Sequence, residues 1–120
     1  MDEKLSKVVD RLTEQTRKGH VAWEDVSSLS LGDQFQATFG DVLVEVRKGD
    51  ARQENDEVGE HWVEYCQVQV RNHRGFVVAT NRAEAGEHRY GRLLILFDVA
   101  LASARNQEGV LDKLLQKLGA

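Results

Sequence analysis

A catalytic nucleophile, a metal cage and a phosphate cradle each need particular residue types at particular spacings, and this chain offers few of them. Cys66 is the single cysteine. It sits in an alternating run on the side that carries Val68 and Val70, with no histidine placed to activate it. That is the setting of a small buried hydrophobe, not of a reactive thiolate. Ser27, Ser28 and Ser30 fall in a loop-like stretch outside any G-x-S-x-G pattern, so their reading is loop or capping chemistry. His20, His61, His73 and His88 are in four different segments, without HExxH or CxxC, and no metal site is expected from them. Gly32-Asp33, Gly40-Asp41 and Gly49-Asp50 read as separate turns, and neither G-x-G-x-x-G nor a Walker loop is present. These exclusions point away from an enzyme and from a cofactor.

The charges are segregated, and here binding chemistry enters. From Asp50 to Glu64, six acids (Asp50, Glu54, Asp56, Glu57, Glu60, Glu64) oppose Arg52 alone, a net −5. The spacing is not that of a calcium loop. Asp50, Glu54, Asp56 and Glu57 therefore read as a solvated charge run that a partner protein could contact. From Arg71 to Arg92, five arginines face Glu84 and Glu87, a net +3. Arg74, Arg82, Arg89 and Arg92, with His73 and His88, would cluster near the start of a helix, where anions are favoured, and could bind a phosphate. The competing reading pairs these arginines with the acidic run. Val63 and Tyr65 lie opposite the apolar side of their strand, and Leu43 and Val77 could join them in a self-association or partner patch. Alternatively a helix or the 21–31 segment covers them.

The elements that must position these residues are legible from periodicity. Leu5, Val8, Val9, Leu12 and Thr16 form one helical stripe, which predicts a helix over 3–18, capped by Asp2 and stopped at Gly19. Residues 21–24 read as a short extended piece and 27–33 as a loop. Phe35, Ala37 and Phe39 alternate with polar residues, and Gly40-Asp41 suits a type II′ hairpin into a strand over 42–48. Residues 49–60 read as a polar mobile loop, followed by strands over 61–71 and 76–80. In the 61–71 strand, Trp62, Cys66, Val68 and Val70 share one face. A loop over 81–87 leads to a helix over 88–105, with Tyr90, Leu93, Leu94, Phe97, Leu101 and Ala104 inward and Ala100 at a tight crossing. A last helix over 109–118 carries Val110, Leu111, Leu114, Leu115 and Leu118.

The order predicts one α+β domain over 1–120: an N-terminal helix, a four-stranded antiparallel meander, and two C-terminal helices packed on one face of the sheet. A formal net charge of −4 disfavours generic binding to nucleic acid or anionic membrane. The longest apolar run, Leu93 to Phe97, is far short of a bilayer span, and the charged N-terminus lacks a signal-peptide pattern, so cytosol is the expected compartment. The order α-β-β-β-α is that of double-stranded-RNA-binding domains, but the lysine-rich helix start is missing and a fourth strand is expected. The pattern Leu12-x-x-x-Thr16-x-x-Gly19-x-x-x-Trp23-Glu24 is similar to many small uncharacterised bacterial proteins; it implies a related α+β fold and brings no activity with it. The expected function is a non-enzymatic protein-binding module of inhibitor, adaptor or immunity type, forming a homodimer. The alternative is a nucleic-acid or phosphorylated-ligand binder using the four arginines, and a minor third reading is a hydrolase built from scattered residues.

Overall fold

A computed structural model of the chain describes residues 2–30, 32–55, 57 and 59–119. α1 (Glu3–Arg17) starts where the Asp2 carboxylate accepts a hydrogen bond from the Lys4 N–H at 2.9 Å, and ends before Gly19 at φ 76°. Leu5, Val9, Leu12 and Thr16 are its buried side chains, whereas Val8 remains 40% exposed. The strands are β1 (Glu24–Asp25), β2 (Asp33–Phe39), β3 (Val42–Asn55), β4 (Gly59–Arg71) and β5 (Val77–Glu84). They form one antiparallel sheet in sequence order. It has one strand more than the spacing predicts, because the 24–25 segment pairs with Phe35 and Gln36 of β2. Gly40 takes φ 62° while Asp41 stays out of the positive-φ region, as a type II′ turn requires.

Alternation sets the covered face. Phe35, Ala37, Val44, Val46, Cys66, Val68 and Ala83 all point to it and are buried. α2 (Tyr90–Ala104) lies across this face, and its Leu93, Leu96, Phe97 and Ala100 complete the core. Phe97 meets Phe35 with ring centroids 5.5 Å apart and planes at 56°, a favourable tilted pair. α1 packs chiefly against α2 and not flat on the strands. The Trp23 indole, folded in behind α1, donates to Thr16 Oγ1 at 2.9 Å.

Three expectations need correction. Residues 49–60 do not form a polar loop: β3 and β4 pair without a break from Leu43↔Arg71 out to Asn55↔Gly59. The fourteen residues of β3 span about 46 Å, so their outer half forms a two-stranded arm beyond the helices. Asp56 lies outside the described residues. Residues 81–84 continue β5, with Asn81 and Ala83 buried, so the loop before α2 starts later than predicted. Lastly, the two C-terminal helices do not both cover the sheet. α3 (Gln107–Lys117) has no substantial packing partner among the described elements, and its apolar side chains are 49–71% exposed. A compact chain of this length would have a radius of gyration of roughly 14 Å; the observed 16.5 Å, with extents of 62 × 31 × 26 Å, reflects these projecting pieces.

Candidate interaction surfaces

The arm carries most of the acids singled out from sequence. On the side continuous with the core face, Asp50 sits across from Glu64, Arg52 from Trp62, and Glu54 from Glu60. Directly opposed like charges destabilise a ladder. Here Arg52 pairs with Glu60, and Lys48 Nζ lies 3.7 Å from Glu64. Trp62 shares the parity of Cys66 and Val68, but the helices do not reach it and it is 69% exposed. Val63, on the other side, is half-buried across from Ala51, and Glu57 is exposed near the tip.

Tyr65 is not part of an exposed apolar patch. Its ring lies over Gly49, directly across the ladder, and the Arg82 guanidinium stacks on it 3.7 Å from the centroid, leaving Tyr65 6% exposed. Around Glu45 the open sheet face is polar. Arg71 donates to Glu45 and to Gln69, each at 3.2 Å, and Gln34 donates to Glu45 at 3.3 Å. Leu43 is half-buried and Val77 is 42% exposed at the far end.

The four arginines do not converge. Arg74 is in the turn before β5, and Arg89 follows the other end, eight strand residues away, about 26 Å of extended chain. Arg82 is on the open face, stacked on Tyr65. Arg92 is on α2, on the covered side, where it donates to Ser6 and lies 3.4 Å from Asp10. Arg89 lies 3.5 Å from Glu87. Neither Arg89 nor Arg92 uses the acidic arm.

Between arm and core sits a small polar cluster. Tyr90 Oη donates to Glu64, and Lys48 Nζ stands 5.2 Å above the Phe97 ring. Burial raises the Tyr90 phenol, and the hydrogen bond to Glu64 adds to the shift. Cys66, 1% exposed beneath the cluster, has its thiol pushed up to about 11 by burial, which keeps it protonated and unreactive near neutrality. Among the described residues, no three His, Cys, Asp or Glu side chains gather as metal ligands, and no helix is long and apolar enough to cross a membrane.

Two features were missed from sequence. The first is an apolar groove of about 530 Å³ between α1 and the end of the sheet that carries the Gly40-Asp41 turn. Val8, Leu12 and Val21 line one wall; Phe39, Val42 and Val70 line the other. Lys7, Arg11 and Gln15 stand along its α1 rim. It exists because α1 leans on α2, so that the turn end of the sheet is left uncovered. Only the exposure of Val8 and Phe39, 40% and 42%, marks it, and sequence periodicity had assigned both inward. A neighbouring depression of about 610 Å³ between α1 and α2 is different in kind. Four of its charged side chains are paired, Lys18 with Glu14 at 3.1 Å and Arg92 with Asp10 at 3.4 Å.

The second is the hub at Arg105, between α2 and α3. Its guanidinium donates to Asp25 at 2.8 Å and to Asp33 at 3.0 Å, and lies 5.2 Å from the Phe35 ring centroid. Hydrogen bonds from Ser27, then from Arg105, hold the Asp25 carboxyl down at about 2. Asn106 then caps α3 by accepting from the Gly109 N–H at 3.1 Å. The link between the helices is thus fixed on both sides, and α3 projects with Val110, Leu111, Leu114, Leu115 and Leu118 on one stripe.

Comparison with family models, curated proteins and solved structures found no match for this chain.

Proposed function

We propose that this chain is a protein-binding module, not a catalyst, and that its working surface is the apolar groove between α1 and the turn end of the sheet. The observation that carries this reading is the groove itself: about 530 Å³ of open space walled by aliphatic and aromatic side chains, with cations confined to one rim. Exposed apolar concavities of this kind serve recognition, and a groove flanked by a helix suits an amphipathic helix. An inhibitor, adaptor or immunity-type protein would use it to hold a helix of its partner. The acidic arm, with exposed Trp62, offers a further contact surface. The arginines favour a phosphate ligand less, being spread over both faces and both ends of the sheet, two of them in ion pairs.

The test presents a library of amphipathic helical peptides to the immobilised full chain at nanomolar density. Captured peptides should lose at least tenfold in affinity on Val8→Asp and keep it on Trp62→Ala. Capture indifferent to Val8→Asp, or no capture at all, would overturn the reading.

A further inference from the structure

The same chain carries a groove without a helix and a helix without a groove. We propose that α3 of one copy seats in the α1–sheet groove of a second copy, and reciprocally, so that the protein is a two-fold dimer; this rests on the groove being a protein-binding surface. Leu111, Leu114, Leu115 and Leu118 fall at i, i+3, i+4 and i+7, the spacing by which a helix anchors in a hydrophobic groove. All four are 49–71% exposed. The chain's own groove is not their partner, because Arg105 is held by Asp25 and Asp33 and Asn106 caps the next turn, which leaves α3 projecting.

Charge and area favour a second copy over a foreign helix. On α3, Asp112 borders the leucine stripe on one side, and Lys113 and Lys117 border it on the other. On the groove, Lys7 and Arg11 stand along the α1 rim, while exposed Asp41 occupies the turn joining Phe39 to Val42 on the sheet wall. One direction of the helix therefore brings opposite charges together on both edges, and the reverse direction brings like charges together. Covering the five apolar side chains of α3 removes on the order of 400 Å² from water on the helix side. That is half of the roughly 800 Å² per partner that stable complexes bury. Reciprocal exchange also covers the groove of the same copy, so each partner contributes two surfaces to the contact instead of one.

Sedimentation equilibrium of the full chain between about 1 and 100 μM tests this, with far-UV circular dichroism confirming that each variant folds. The wild type should have a dimer's mass. Leu114→Asp, on α3, and Val8→Asp, on the exposed groove wall, should each run as monomers. An equimolar mixture of the two keeps one intact seat, the α3 of the Val8→Asp copy in the groove of the Leu114→Asp copy, so it should associate more weakly than the wild type and more strongly than either variant alone. A wild type monomeric at 100 μM, a dimer as stable as the wild type surviving either change, or a mixture that associates no more than the separate variants would overturn the exchange. Peptide capture separates this from failure of the underlying reading. A monomeric wild type that still captures helical peptides through Val8 loses the second copy but keeps the groove; one that captures nothing loses both.

Discussion

β3 and β4 run through two environments in a single unbroken ladder. From Val44 to Lys48, and from Cys66 to Val70, one face packs into the core under the helices and the other carries polar side chains. From Asp50 to Glu54, and from Gly59 to Glu64, solvent reaches both faces. The backbone pairing is the same and the energetics are not. A ladder exchanges water hydrogen bonds for protein ones with modest net gain per bond, whereas each fully buried aliphatic or aromatic side chain contributes about 1.5–3 kcal/mol. The covered half therefore holds the fold, and the arm persists because it continues a register set elsewhere.

The widest separation between the halves comes from truncating one aromatic in each. Phe97, 1% exposed against Phe35, is central to the covered half, and Phe97→Ala should cost about 3–5 kcal/mol in urea unfolding. Trp62 is larger but 69% exposed on the arm, and Trp62→Ala should cost less than about 1 kcal/mol. Similar losses would mean that the arm is packed against something and that the division is wrong.

This division explains what was legible in the sequence. Where a helix covers the sheet, alternation and burial agree, so the hairpin at Gly40-Asp41 and, apart from Phe39 and Val8 at the groove, the inward sides of β2, β3 and α1 read correctly. Alternation identifies a side of a strand without saying what lies above it. Trp62 has the parity of Cys66 and Val68 yet stands in solvent, and Tyr65 has the opposite parity yet is buried by its own sheet neighbours. The β3 side of the arm has no such signal, because its charges alternate only with Ala51 and Gln53 and Gly49 resembles a strand breaker. α3 was read correctly as an amphipathic helix, but its stripe implied packing that the Arg105–Asn106 link does not provide. The groove depends on the tilt of α1 against α2, a tertiary quantity with no local signature. Arg105 met the same limit, since its partners Asp25 and Asp33 are distant in sequence.

Cys66 marks the boundary, directly across the ladder from Lys48 and beneath the polar cluster of Lys48, Glu64 and Tyr90, and its titration locates that boundary chemically. The thiol's ordinary value is 9.0 and burial raises it to about 11 in the fold. A folded value above the unfolded one contributes stability that is complete below pH 9 and is lost as pH rises through about 11. Two units correspond to about 2 kcal/mol after allowance for partial solvation at the edge of the core. The measurement is urea stability from pH 8 to 11 for the wild type and Cys66→Ala. The wild type should lose about that much more than the variant across the interval, whatever the fixed cost of the substitution. Parallel slopes would place the thiol in water and move the boundary inward.

The smallest effect tests how the arm is joined to the covered half. At Gly49 an added Cβ would meet the Tyr65 ring at 3.0–3.1 Å, closer than ordinary van der Waals contact. By itself, replacing a strand glycine with alanine restricts the unfolded chain and favours folding by about 0.4–1 kcal/mol where the backbone allows it, and Gly49 does not adopt positive φ. The ring cannot simply lift away, because the Arg82 guanidinium stacks on it at 3.7 Å. Arg82 is exposed and can shift, so the strain is bounded. Gly49→Ala should therefore destabilise by about 1 kcal/mol net. With Tyr65→Ala already in place the ring is absent and the same substitution should become stabilising. The double-mutant cycle reads this reversal of sign directly. If Gly49→Ala has the same effect in both backgrounds, the glycine is not there to seat Tyr65, and the continuity of the ladder through residue 49 rests on pairing alone.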